Sequence, residues 1–174
     1  MQKFPYFRTL GVTMATAMLL AAGTASAHEY KAGDLVIDHP WVRATPPSAP
    51  TAGGYAKITN HGTEPDRLTG GSAKGVKRVE VHEITVENNV MKMRTVDGGL
   101  EIGPGETVEL KPGGYHLMMI GPKDQLTEGS EIEGTLVFEK AGTVDVSFKV
   151  EPLGKAMGEE AAAEHDHGGG HKSH

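Results

Sequence analysis

Two short segments bring imidazole and thioether side chains together in a chain that contains no cysteine. One runs from His82 to Met93, and the other is His116-Leu117-Met118. Beyond residue 27 the chain has five methionines, and four of them lie in or beside these segments: Met91, Met93, Met118 and Met119. Thioether sulfur is a soft ligand that suits Cu(I), whereas imidazole binds copper, zinc, iron and nickel. A mixed set of these side chains therefore indicates a Cu(I) site.

A β-strand is the local structure that would position these side chains. Side chains alternate between the two faces of a strand, so His116 and Met118 project to one side while Met119 projects to the other. The turn predicted at residues 87–89 folds the strand with Met91 and Met93 back beside the strand that carries His82. Methionine also fills gaps in hydrophobic cores, so each thioether has a structural interpretation as well. At this point the choice between Met91 and Met93 stays open.

The pattern along residues 34–150 favours strands throughout. Short β-branched runs are separated by Gly, Pro, Asn and Asp, and no helical periodicity persists beyond two turns. This spacing is typical of an all-β antiparallel sandwich or barrel. The predicted strands lie at residues 35–37, 54–60, 67–72, 76–85, 90–96, 107–110, 115–120, 132–139 and 143–150.

The first 27 residues have the features of a secretory signal peptide. Lys3 and Arg8 precede an apolar run at residues 10–22, which ends at Ala25-Ser26-Ala27. Such a run is too short for a stable membrane span, so we expect cleavage after Ala27, a periplasmic protein and no membrane insertion after cleavage. The new N-terminal residue would be His28, whose amino group and ring resemble the copper brace of oxidative polysaccharide enzymes; an incidental cleavage position is the alternative.

The composition changes after Pro152, which divides a domain at residues 28–152 from a tail at residues 153–174. The tail has no apolar stripe to pack, so it is expected to be disordered. A His-rich tract is a compositional signal for metal binding, and this one is expected to capture Cu(II). The alternative is a solvated tail without function. The predicted tail ligands are His165, His167, His171, His174 and Met157.

Composition also excludes several classes of function. The formal net charge is −6, and nucleic-acid-binding surfaces are usually basic, so no nucleic-acid partner is expected. Absence of cysteine excludes disulfides, zinc thiolate sites, iron–sulfur clusters and blue-copper electron-transfer centres, which need a thiolate. Neither a Gly-x-Ser-x-Gly elbow nor a His-Glu-x-x-His motif occurs, so the chain is not predicted to be an enzyme.

Residues 35–152 resemble the periplasmic copper chaperone family PCuAC, also written PCu(A)C. Four segments carry the resemblance: residues 39–45, residues 51–60, residues 79–83 and residues 110–118, which end in Pro-Gly-Gly-Tyr-His-Leu-Met. The family motif has a His, a Met about ten residues later and a His-x-Met further on. It falls on His82, Met93, His116 and Met118.

The resemblance implies a cupredoxin-like fold with a Cu(I) site made by those four residues. It also implies delivery of copper to the CuA or CuB centre of a respiratory oxidase subunit, with a Sco-type thiol protein as a possible further partner. Two other interpretations of the residues stay open. One is an extracytoplasmic copper or haem redox protein, and the other is a β-sandwich assembly module that binds metal adventitiously.

Overall fold

Residues 29–154 are described by a computed structural model, and over this range the chain is all-β, without a helix. None of this range forms a helical membrane span. The predicted signal peptide, His28 and the predicted metal ligands of the tail lie outside it. Eleven strands follow one another: β1 (Glu29–Ala32), β2 (Leu35–Arg43), β3 (Thr51–Asn60), β4 (Asp66–Ala73), β5 (Val76–Glu87), β6 (Val90–Thr95), β7 (Leu100–Ile102), β8 (Thr107–Leu110), β9 (His116–Pro122), β10 (Glu131–Phe138) and β11 (Gly142–Glu151).

Seven of these strands form a closed barrel. The hydrogen-bonded order is β2, β11, β10, β4, β5, β9 and β3, and pairing between β3 and β2 closes the ring. The β2–β11 pair is parallel and the other pairs are antiparallel. Closure leaves no free edge on the ring itself. The shorter strands β1, β7 and β8 extend the wall, and β6 pairs with β5.

All nine predicted strands are present, with ends displaced by a few residues. The sequence pattern missed β1 and β7, which are four and three residues long. It also ended β2 too early, because Pro40 follows His39. The chain passes this point through an irregularity in the β2–β3 ladder, where His39 adopts a positive φ of 46°, and pairing resumes at Trp41.

The core lies inside the barrel and uses one side of the β5–β9 ladder. Leu117 and Met119 of β9 are fully buried there, opposite Val81 and Val79 of β5. Met119 is therefore a core methionine. The intervening residues of both strands face outward, and they include the two histidines and Met118. The alternation predicted for β9 is confirmed.

A two-stranded arm, residues 84–93, extends the β5–β6 hairpin past the end of β9. Its turn is Asn88-Asn89, and both residues have positive φ, at 52° and 62°, as a two-residue hairpin turn requires. The side of the arm that continues the outer face of β5 is entirely apolar: Ile84, Val86, Met91 and Met93. Ion pairs line the opposite side, and they join Lys92 to Glu87 and Arg94 of β6 to Glu83 of β5.

Asp66 anchors the β10–β11 turn to the start of β4. Its carboxylate accepts hydrogen bonds from the backbone N–H groups of Arg67, Lys140 and Ala141, at 2.7, 2.9 and 2.9 Å. Burial of Asp66 favours the protonated form. These hydrogen bonds, together with the charge of Lys140, outweigh burial and hold the pKa of Asp66 below its ordinary value.

Candidate metal centre

His82 and His116 face each other directly across the β5–β9 ladder on the outer side of the barrel. Their ring centroids are 5.9 Å apart, and the ring planes meet at 65°. Although both rings lie on the outer side, His116 is only 3% exposed and the His82 side chain 14%. The fold therefore holds two imidazoles in a shallow, largely dehydrated position.

Met118 lies next to this pair on the same face. It follows His116 by two residues on β9 and stands opposite Glu80 of β5 on one side and Gly53 of β3 on the other. Relative to His82 it is a diagonal neighbour, at a backbone distance of about 7–8 Å that a long side chain spans.

Met93 is the other diagonal neighbour of His82, on the far side of β5. In the β5–β6 ladder Thr95 stands opposite His82 and Met93 stands opposite Ile84. Met91 stands opposite Val86, which lies four residues beyond His82 on β5. Along the strand this is a distance of about 13 Å. The register thus puts Met93 within reach of His82 and Met91 well beyond it. Met93 and Met118 flank His82 from opposite sides, with backbones about 16 Å apart in an ideal sheet, so both thioethers reach one ion only if the arm bends towards Met118.

The two histidines offer different nitrogen atoms to a ligand. In His116 the Nδ1 atom lies 3.0 Å from the carbonyl oxygen of Gly114. A carbonyl can only accept a hydrogen bond, so Nδ1 carries the proton and Nε2 keeps the lone pair. Burial lowers the pKa of His116, as does the neighbouring His82, while the Gly114 carbonyl acts in the opposite direction. The net effect favours the neutral ring, which is the form that binds metals.

In His82 the engaged atom is Nε2. It lies 2.9 Å from Oε2 of Glu80 and 3.2 Å from Oγ1 of Thr95. The Nδ1 atom is enclosed and has no hydrogen-bond partner among residues 29–154. The hydrogen bond from His82 is the main reason that the pKa of Glu80 lies below its ordinary value, and the charge of Arg78 adds to the effect.

An aromatic pair on the same outer face borders the Met118 side of the site. Trp41 and Tyr55 are cross-strand neighbours on β2 and β3, with ring centroids 4.4 Å apart, and Arg43 lies 5.8 Å from the centre of the Tyr55 ring. The Tyr55 ring lies over Gly53, where a Cβ atom would collide with the tyrosine hydroxyl. Glycine opposite Met118 therefore leaves room for this ring.

The candidate centre combines thioether sulfur with imidazole nitrogen, and harder ligands are not grouped nearby among the described residues. Within residues 29–154 no group of three or more His, Cys, Asp or Glu side chains could hold a metal ion. The part of the chain that the structure describes thus has no site built only from harder ligands. Imidazole nitrogen and thioether sulfur at the β5–β9 ladder form the candidate centre.

Comparison with known proteins agrees with this architecture. A family model described as "LpqE-like: Putative lipoprotein LpqE-like" matches residues 35–150. The solved copper-bound PCuAC domain from PmoF2 is 31% identical, with a TM-score of 0.61, over 72% of this chain and 98% of that chain. The chain belongs to the PCuAC family. The predicted family and the predicted cupredoxin-like all-β fold are confirmed.

Two further matches are less similar in sequence. The Cu(I)-bound solution structure of DR1885 from Deinococcus radiodurans is 26% identical, with a TM-score of 0.53, over 75% of this PCuAC chain and 85% of that chain. A curated relative, "Putative lipoprotein Lxx21020" from Leifsonia xyli subsp. xyli, is 28% identical over 157 residues. That match covers 86% of this chain and 93% of the relative.

The fold brings the predicted domain residues of this PCuAC protein to one face, with His82 at the centre. His116 is directly opposite, and Met118 and Met93 are diagonal neighbours. The predicted tail residues His165, His167, His171, His174 and Met157 lie outside the described residues. Glu80 is not among the residues predicted for the site, although its spacing of two residues from His82 puts both side chains on one face of a strand.

Proposed function

We propose that this protein is an extracytoplasmic copper chaperone that binds Cu(I) through His82, Met93, His116 and Met118. The observation that carries the proposal is the directly opposed His82–His116 pair, with a thioether beside it on the same outer face. Among residues 29–154, Nδ1 of His82 is enclosed without a hydrogen-bond partner. Nε2 of His116 keeps its lone pair because Nδ1 of that ring carries the proton.

The chemistry of the four donors favours monovalent copper. All four are neutral, and thioether sulfur prefers Cu(I) to the hard divalent cations. The copper-bound PCuAC domain from PmoF2 and the Cu(I)-bound DR1885 support copper as the cargo. In this proposal the domain acts as a copper carrier and not as an enzyme.

Delivery requires that a partner reach the copper, and the arm supports this part of the proposal. Among residues 29–154, four of the five exposed large hydrophobic residues lie on the arm: Val86, Val90, Met91 and Met93. The apolar side of the arm continues the face of the copper site, so a partner seated there would lie over Met93. Exposed apolar surface of this kind marks interaction sites.

The acceptor that we propose is a respiratory oxidase subunit with a CuA or CuB centre, with a Sco-type thiol protein as a further partner. Thioethers are neutral and weaker donors than thiolates, so copper would pass from this site to a cysteine-containing acceptor by ligand exchange. An extracytoplasmic location, the periplasm, agrees with the lipoprotein description of the matching family and with the predicted signal peptide.

For the tail we propose Cu(II) capture by His165, His167, His171, His174 and Met157. Strand β11 ends near the site: Val150, Val42, Gly54 and Leu117 form one continuous row of cross-strand partners. Three strand spacings, about 14 Å along the sheet, separate β11 from β9. The 13 residues from Pro152 to His165 reach about 40 Å when extended, so captured copper would have a high local concentration at the domain.

The test is a Cu(I) titration against a competing colorimetric chelator. The double variant His82→Ala/Met118→Ala is expected to lose high-affinity Cu(I) binding, whereas His61→Ala, which removes an exposed histidine after β3, serves as the matched control. Unchanged affinity in the double variant would rule out the site. X-ray absorption of the Cu(I) protein should count two nitrogen and two sulfur neighbours. Transfer to an apo CuA domain, followed by one-electron oxidation with ferricyanide, should produce the absorption of the mixed-valence CuA centre.

A further inference from the structure

Glu80 occupies a position from which it controls the ring of His82. The two residues are separated by one position on β5, so both side chains lie on the outer face. The Oε2 atom of Glu80 is 2.9 Å from Nε2 of His82, while its Oε1 atom pairs with Arg78. Both oxygen atoms of the carboxylate therefore have a partner, and this fixes its orientation.

The chemistry of a carboxylate determines where the proton of His82 resides. An ionised carboxylate only accepts hydrogen bonds, so the Nε2 atom that it contacts must carry the proton of a neutral ring. The lone pair then belongs to Nδ1, the enclosed atom without a partner among residues 29–154. A buried nitrogen atom without a hydrogen-bond partner lowers the stability of the folded state unless a ligand binds it. In His116 the assignment is reversed, because the Gly114 carbonyl engages Nδ1.

We infer that Glu80 is a positioning residue of the copper site. It holds His82 in the Nε2–H tautomer, so that Nδ1 of His82 and Nε2 of His116 are the two nitrogen ligands of Cu(I). This inference rests on the proposed function and adds a residue to it. Thr95, 3.2 Å from the same Nε2 atom, supports the ring orientation from β6.

The charge of Glu80 has a second effect on the bound ion. Two imidazoles and two thioethers leave the single positive charge of Cu(I) uncompensated, and the Glu80 carboxylate lies one imidazole ring away from it. The Glu80 side chain is 27% exposed and Arg78 offsets part of its charge, so this contribution is screened. Outer partners of metal-binding histidines typically change metal affinity by about 10–100-fold when they are removed.

The first measurement needs no copper. Nitrogen-15 NMR of the apo protein at a pH where imidazole is neutral should assign the proton of His82 to Nε2 in the wild type. In Glu80→Gln the amide oxygen still accepts from Nε2–H, so this tautomer should persist. In Glu80→Ala the ring should populate both tautomers. A wild-type spectrum with the proton on Nδ1 would overturn the inference.

The second measurement is Cu(I) affinity in the same variants. Glu80→Ala should weaken binding by about 10–100-fold, and Glu80→Gln should weaken it less because only the charge is lost. Glu83→Ala is the matched control, because Glu83 follows His82 on β5 but faces the other way and pairs with Arg94. Equal affinities for Glu80→Ala and Glu83→Ala would overturn the inference while the proposed function stands. A wild-type protein without Cu(I) affinity would remove the proposed function, whereas the apo spectra would still report on Glu80.

Discussion

His82 lies directly opposite His116 on neighbouring strands, and each ring is held through a different nitrogen atom. Glu80 and Thr95 engage Nε2 of His82, whereas the Gly114 carbonyl engages Nδ1 of His116. The pair is therefore asymmetric although the two residues occupy equivalent positions in the ladder. Because both rings are anchored before any metal arrives, the two imidazoles lose little conformational freedom when they bind it, and this lowers their part of the cost of binding.

Met93 and Met91 differ in their distance from His82, and we expect a corresponding difference in copper affinity. Met93→Ala should weaken Cu(I) binding by about tenfold or more, equivalent to about 1.4 kcal/mol, whereas Met91→Ala should leave it unchanged. Both side chains are more than half exposed, so neither substitution should alter stability much. A competition titration of the two variants compares them; equal losses would show that the arm places both sulfurs equally well.

The apolar side of the arm should affect copper transfer but not copper binding. Val86→Ser removes an exposed apolar side chain from that side, so the rate of transfer to an apo CuA domain should fall, on the order of tenfold. Cu(I) affinity should not change. The matched variant is Val90→Ser, in the same arm but on its charged side. If both variants transfer copper at the wild-type rate, docking does not use this face.

Asp66 should make stability depend on pH in the acid range. Its pKa is lowered in the folded state from an ordinary value of 3.8. A lowered folded-state pKa adds stability that is fully present above the unfolded-state pKa and is lost as pH falls through the folded-state value. Asp66→Asn should therefore cost about 1–3 kcal/mol at pH 7, and this difference should shrink as pH falls below about 4.

Denaturant unfolding at pH 7 and at successively lower pH measures the effect of Asp66→Asn. The comparison variant is Glu64→Gln, because Glu64 forms an exposed ion pair with Lys140 beside the same turn. Exposed pairs of this kind add little to stability, so Glu64→Gln should be close to wild type. A pH-independent difference for Asp66→Asn would contradict the role assigned to its charge.

Deletion of residues 153–174 should abolish Cu(II) uptake and preserve Cu(I) binding, because the predicted Cu(II) ligands all lie in that segment. Electron paramagnetic resonance counts bound Cu(II), and the chelator titration reports Cu(I). Replacing His165, His167, His171 and His174 with Ala in the full-length chain keeps the length of the tail and should have the same effect. Loss of both metals would contradict a division into two sites.

Much of this architecture was readable from the sequence because strand periodicity is a local property. The alternation at Leu117, Met118 and Met119 predicted that the two methionines lie on opposite faces of β9, and the turn at residues 87–89 predicted the β5–β6 hairpin. Strands β1 and β7 were missed because segments of four and three residues carry too little periodicity to detect. The end of β2 was misjudged because the ladder shift beside His39 is a tertiary feature.

The contacts within the candidate site depend on register between strands, which no single segment encodes. Glu80 and His82 share a face by local spacing, but the approach of Thr95 to His82 depends on how β6 pairs with β5. The placement of Gly53 opposite Met118 likewise depends on β3 lying beside β9. These relationships follow from the pairing of strands, which the pattern within one strand does not describe.

The adjacent residues Met118 and Met119 have consequences for how the gene can vary. One sulfur faces outward and the other is sealed inside, so a mutation that shifted β9 by one residue against β3 and β5 would exchange their sides and point His116 inward. Length changes in the turn at residues 111–115 should therefore be tolerated only where the turn absorbs them without moving β9.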